Sequence, residues 1–240
     1  MEKCSPATAS VSAETNEREP MRDIFTAELA ALGEDLAAMS RLVESAIASA
    51  GTALLEADLA LAETVIADDH TIDAVERDLD ERCVALLAQQ QPVAGDLRQV
   101  VSALRMSASL ERMGDLARHV AEVARLRYPD KALPEPVTDL FRQMHDGAVR
   151  VSQEVTTVLE TKDLELAGAI ERDDDLLDTL HAQTFTAVLG EGGAPLTPQQ
   201  TVDITLCGRY YERFGDHGVS VARRVVYLVT GDFADDRGTL

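Results

Sequence analysis

The sequence predicts an all-α protein made of two copies of a three-helix unit, six long helices in all. Three observations carry this. Aromatic residues are only 4% of the 240-residue chain and Trp is absent, while Ala, Leu, Glu, Asp and Arg, which suit helices, dominate. Apolar residues recur at intervals of three to five, and no alternating strand pattern of useful length appears. The chain also repeats itself: Asp58-Leu59-Ala60-Leu61-Ala62 matches Asp163-Leu164-Glu165-Leu166-Ala167, and Glu111-Arg112-Met113-Gly114-Asp115 matches Glu212-Arg213-Phe214-Gly215-Asp216.

The first helix is expected from about Met21 to Leu55, with Ile24, Leu29, Leu32, Leu36, Met39, Val43 and Ile47 along one face. Asp58 is a candidate N-cap for a second helix that carries Leu61, Val65, Ile72, Val75, Leu79 and Leu86 and is stopped by Pro92. A third runs from about Asp96 to Arg127. Tyr128-Pro129, Pro134 and Pro136 then read as a linker. The second copy follows the same scheme. A helix begins near Pro136, which suits a first helical position, and ends near Glu160. Asp163 caps a fifth helix ending near Leu189, residues 190–198 form a Gly- and Pro-rich loop, and a sixth helix runs from Pro198 to Val229. The expected units are therefore a first bundle over 21–131 and a second over 132–230. Residues 1–20, rich in Ser, Thr, Ala and Glu, and residues 231–240 are expected to be loose tails, with Met21 an alternative start.

Charge and composition exclude several functions. Asp and Glu number 43 against 22 Lys and Arg, a net charge of −21, which opposes binding to nucleic acid or to an anionic membrane surface. No apolar run is long enough to span a bilayer, and the first twenty residues do not resemble a signal peptide. Cys4, Cys83 and Cys207 are odd in number and form no C-x-x-C, which argues against a disulfide framework or a cysteine zinc site and fits a reducing cytoplasm. There is no Gly-rich phosphate loop, no G-x-S-x-G and no Cys/His nucleophile pair, so nothing points to catalysis.

The chemistry sits in four acidic pairs at i, i+4: Asp69/Asp73, Glu111/Asp115, Asp174/Asp178 and Glu212/Asp216. In a helix each pair shares one face, where like charges repel by a few tenths of a kcal/mol and a bridging cation reverses the sign. Acidic pairs on solvated faces are common in so acidic a chain. These recur at matching places in both copies, one on the second and one on the third helix of each, so each half can present four carboxylates to an ion. On the third helix the apolar series Leu97, Val101, Leu104, Ala108 leads to positions 111 and 115, an unusual place for a purely solvated pair. Glu76 and His181, each three residues beyond its aspartate, are candidate extra ligands, and His119 and His217 lie close in sequence to Asp115 and Asp216. A di-iron bundle of the ferritin type would need paired Glu-x-x-His motifs, which this chain lacks. Arg98, Arg105 and Arg112 step by seven along the third helix, as a contact line for an anion or partner or as salt-bridge partners of acidic neighbours.

The repeated D-D-x-x-[IL]-D and E-R-[MF]-G-D-[LH] signatures, together with the stretches QQPVAGDLRQVVSALRMSASLERMGDLARHVAEVARLRYP and GRYYERFGDHGVSVARRVVYLVTGD, resemble the PhoU family over about residues 21–232. The resemblance implies a tandem of three-helix bundles. It implies a cytoplasmic regulator of phosphate uptake, commonly a homodimer. It further implies iron, zinc or similar divalent ions on Asp69/Asp73, Glu111/Asp115, Asp174/Asp178 and Glu212/Asp216. As partners it implies the ATPase subunit of a phosphate ABC transporter and a phosphate-sensing histidine kinase. Asp115 is followed by Leu116 where Asp216 is followed by His217, so equal metal affinity in the two halves is not expected. The competing readings are a bundle whose main role is to bind or store the ion, and a hydrolytic metal site, which would need an open coordination position and a nearby base.

Overall fold

The computed structural model describes residues 11–190 and 196–232. It contains six helices: α1 (Val11–Glu56), α2 (Leu59–Gln90), α3 (Ala94–Arg127), α4 (Glu135–Thr161), α5 (Leu164–Leu189) and α6 (Pro198–Thr230), and among the described residues there is no strand. Local chemistry sets the ends. The Asp58 side chain accepts from the Leu61 amide, and Asp163 accepts from the amides of Glu165 and Leu166. Thr197 and Gln200 close a capping box around Pro198. Gly231, at φ 84°, ends α6 in the left-handed region.

Two differences from the sequence expectation concern helix 1 and helix 3. Helical backbone reaches back to Val11, so residues 11–20, expected as part of a tail, continue α1. Ala13, Glu14, Glu17, Arg18 and Glu19 are all good helix formers. Residues 1–10, 191–195 and 233–240, and with them most of the expected tails and loop, lie outside the described residues. On α1 the expected face is buried except at Ile24, which is exposed while Phe25 turns inward. On α3 the apolar series expected to lead into the core is largely exposed at Leu97, Val101 and Ala108. The buried stripe instead passes through Val100, Ala103, Met106, Leu110, Met113, Ala117, Val120 and Ala124. Both rows have helical spacing, so periodicity alone does not choose between them.

α1–α3 form one bundle and α4–α6 the other, and the two join by pairing like with like: α1 packs on α4 and α3 on α6. Both pairs are antiparallel. Arg41 meets Glu160, Glu44 meets Thr156 and Gly51 meets His145 along α1/α4. Arg98 lies over Tyr227, His119 against Tyr210 and Arg127 on Asp203 along α3/α6. α1 and α3 thus each meet their own counterpart, as in a twofold dimer, but within one chain. A continuous apolar core fills both bundles and the seam, including Met39, Ile47, Leu110, Phe141, Met144, Tyr211 and Phe214. Cys83 and Cys207 are free thiols buried in it.

At one end of the seam Arg127 clamps Asp203 with Nε–Oδ2 at 2.6 Å and Nη2–Oδ1 at 3.1 Å, and Gln199 donates to the same carboxylate at 3.0 Å. The Asp203 side chain is only 3% exposed. Removing Arg127 leaves the buried Asp203 carboxylate short of a donor, which costs about 1–3 kcal/mol. Because Arg127 is only half-buried and Gln199 stays in place, Arg127→Ala is expected to cost about 2 kcal/mol by urea denaturation, with partial recovery when Asp203→Asn is added.

Candidate carboxylate clusters

Each half brings its second and third helices together along the line of acidic residues, and glycine makes the approach close. A Cβ on Gly215 would stand 2.2 Å from Asp174 Oδ1 and 2.9 Å from Leu177 Cδ1. So the glycine of the second E-R-x-G-D motif lets α5 lay Asp174 directly over the α6 backbone, between Glu212 and Asp216 in sequence. In the first half a Cβ on Gly114 would meet the tip of Ile72 at 2.9 Å, with Asp69 Oδ1 at 3.7 Å. The spacer glycines are therefore contact points between helices, a role that pattern reading leaves unassigned.

The second-half cluster is short of positive charge. Asp174 is pushed up to about 7, first by burial and then by Asp178, Asp216, Asp175 and Glu212. Its Oδ1 is buried with no hydrogen-bond partner. Glu212 is nine-tenths buried and is also raised, by burial and then by Asp216, against the lowering effect of Arg209. Arg209 binds its Oε1, and Oε2 has no partner. Asp178 and Asp216 are exposed. His181 is half-buried against Gly208 and Phe185, its Nε2 lacks a hydrogen-bond partner, and burial lowers its pKa.

The first-half cluster is neutralised from within. Arg118 places Nε 2.7 Å from Asp69 Oδ2 and donates from Nη2 to Asp115 Oδ1 at 2.7 Å and from Nη1 to Glu122 at 2.8 Å. Arg112 binds Asp115 at 2.8 Å and contacts Glu111 at 3.3 Å. Burial raises both Asp69 and Glu111; Asp73 and Asp115 add to the rise in each, Glu76 adds to that of Glu111, and Arg118 and Arg112 respectively oppose it. Glu76 itself is raised by burial and by Asp80 and Asp73.

The structure thus places Asp69, Asp73, Glu76, Glu111 and Asp115 together in one half, and Asp174, Asp178, Glu212, Asp216 and His181 in the other. His119 and His217 take different places, and His217 of the second half turns toward Glu76 and Glu111 of the first. His119 packs on Tyr210 across the seam with ring centroids 5.2 Å apart. His217 turns to a cleft of about 450 Å³ between the halves, lined also by Glu76, Arg105, Glu111, Arg112 and Arg224. The three stepped arginines divide: Arg98 lies 5.8 Å from the Tyr227 ring centroid, Arg105 lines the cleft, and Arg112 pairs on its own helix. Among the described residues, no three Asp, Glu, His or Cys side chains are already drawn around one point closely enough to hold a metal ion. The second half nonetheless fits a cation better than the first, because it keeps buried acceptor atoms with nothing to accept from. Sequence reading missed Arg118 and Arg209. The signal for Arg118 was available: the repeat alignment sets it opposite Val219, a charge against an apolar residue.

Comparison with known proteins agrees with this architecture. The PhoU domain matches residues 36–124 and again 141–225, one match per bundle. The phosphate-specific transport system accessory protein PhoU homolog 2 of Mycobacterium tuberculosis is 45% identical over 213 residues, 89% of this chain and 100% of that protein. PhoU homolog 1 of Mycobacterium leprae is 44% identical over 216 residues, 90% of this chain and 97% of that one. Crystal structures of PhoU from Pseudomonas aeruginosa (TM-score 0.76, 31% identity, 87% of this chain and 100% of that one) and of the phosphate transport system regulatory protein PhoU from Streptococcus pneumoniae (TM-score 0.79, 26% identity, 88% and 99%) share the fold. The chain belongs to the PhoU family.

Two outcomes follow from the geometry. Asp174 is protonated more tightly in the native state, near pH 7, than in the unfolded state, near 3.8. Its burial therefore costs stability increasingly as pH rises through that window. Asp174→Asn is expected to be more stable than wild type at pH 8, with the difference shrinking as pH is lowered toward 4 in denaturant titrations. Gly215→Ala should cost about 1–2 kcal/mol because the buried carboxylate must move, and Gly114→Ala should cost less, since only Ile72, with Cδ1 at 2.9 Å and Cγ2 at 3.2 Å, must give and helix propensity improves. Thermal melts of the two variants compare them directly.

Proposed function

We propose that the protein is an accessory and regulatory component of phosphate-specific transport, which restrains phosphate uptake and the phosphate-starvation response when phosphate is plentiful. It acts from the cytoplasm by docking, as a homodimer and without catalysis, on the ATPase subunit of the phosphate transporter and on the phosphate-sensing histidine kinase. The observation that carries this reading is the mycobacterial accessory protein matched over its whole length at 45% identity, both bundles included. Long helix faces suit such docking. Among the described residues no helix is long and apolar enough to cross a membrane, which suits a partner that meets the transporter from one side.

The carboxylate clusters are read as sites for iron, zinc or another divalent ion, with Asp174, Asp178, Glu212 and Asp216 as ligands and His181 as a possible nitrogen donor. The unpartnered Asp174 Oδ1 and Glu212 Oε2 support this and keep a second reading in view, a bundle whose main role is to hold the ion.

Deleting this gene together with every paralogue in its host should raise transcription of phosphate-uptake genes in phosphate-rich medium and cause phosphate over-accumulation. Unchanged transcription in that strain would remove the regulatory reading and leave the ion-binding one.

A further inference from the structure

We propose that Arg118 is a tethered cation standing where a metal ion would bridge the first-half carboxylates, so that ion binding by this protein is confined to the α5–α6 cluster. The inference rests on the metal reading above and narrows it to one half. Three carboxylates converge on this one guanidinium: Asp69 from α2, and Asp115 and Glu122 from α3, at 2.7, 2.7 and 2.8 Å. The Arg118 side chain is 26% exposed, so it is held in the groove between the helices and does not wave in solvent. A guanidinium presents a planar fork of donors that keeps its charge at every accessible pH. An ion entering beside it would meet fixed positive charge and would have to break two charge-assisted hydrogen bonds, to Asp115 and Glu122, and the ion pair with Asp69 to gain its ligands.

The second half shows the same framework without this residue. The repeat places Val219, an apolar side chain 7% exposed, at the position of Arg118. The effect on the carboxylate is visible. Asp69 keeps Oδ1 3.7 Å from the Cβ position of Gly114 and commits Oδ2 to Arg118, while Asp174 holds Oδ1 2.2 Å from the Cβ position of Gly215 with no hydrogen-bond partner. Glu212, nine-tenths buried, leaves Oε2 without a partner beside Asp178 and Asp216. The one arginine ion-paired within that cluster, Arg209, is 46% exposed and holds only Glu212, through Oε1. The two halves of one duplicated unit thus meet the same electrostatic problem with different cations, a covalently attached one and a free one.

The test uses the full-length chain stripped with chelator, reloaded with Zn(II), desalted, and measured for zinc per chain by elemental analysis. Wild type should load. Asp174→Asn/Asp178→Asn should lose nearly all of that zinc, and Asp73→Asn/Glu111→Gln should lose none. Arg118→Val, which copies the second half, should about double the zinc bound, with the gain abolished by Glu111→Gln. Val219→Arg should abolish loading in the second half. If Arg118→Val does not fold by circular dichroism, Arg118→Gln takes its place, and the reading is its rise in melting temperature on adding zinc. If Asp73→Asn/Glu111→Gln loses as much zinc as the second-half pair, the first half loads despite Arg118: this inference falls and the metal reading stands. If no chain binds zinc, Arg118→Val included, both fall.

Discussion

α3 and α6 run antiparallel against each other, and each is also the inner wall of its own bundle. A long helix with one apolar stripe needs one neighbour; α3 packs on α1, α2 and α6, and must be small or apolar on most of its circumference. Its buried residues include four alanines, Gly114 and two serines among larger side chains. That demand places the E-R-x-G-D motif. The glycine faces the second helix of its bundle, the carboxylates fall at the rim of the same groove, and the polar remainder of the helix lines the cleft between the halves. The core, the clusters and the seam are three consequences of one helix being surrounded.

Much of this was legible in the sequence, for physical reasons that differ by element. Helix ends were readable where capping chemistry is local, as at Asp58, Asp163 and Thr197-Pro198-Gln199-Gln200. The grouping of acidic residues was readable because i, i+4 spacing and the repeat together constrain where helices can meet. The buried face of α3 was not readable, since two interleaved rows of apolar residues have the same period and only tertiary packing chooses between them. The start of α1 was misplaced because Glu and Ala, which a loose tail rich in Ser, Thr, Ala and Glu contains, are also good helix formers. The arginine contacts were invisible for a different reason. Whether Arg118 points along its own helix or across to Asp69 depends on the separation of α2 and α3, which no local pattern encodes.

Electrostatics in the two bundles shows how a repeat can keep its backbone and change its chemistry. Burial raises Asp69, Glu111, Asp174 and Glu212, so both copies carry a desolvation burden. The response differs. The first copy supplies a guanidinium with three carboxylate partners; the second leaves Asp174 titrating near neutrality. A carboxylate poised there takes up or releases a proton within the neutral range. The two copies are joined along a seam that Arg127, paired with the buried Asp203, ties at one end.

The pairing of α1 with α4 and of α3 with α6 has a consequence in mass action. The same interface between two separate half-length chains would dissociate on dilution, and its occupancy would follow expression level. With both halves in one polypeptide, the effective concentration of each for the other is fixed by the short connection between Arg127 and Glu135, and does not fall with copy number. The groove between the halves therefore exists in every molecule at any abundance.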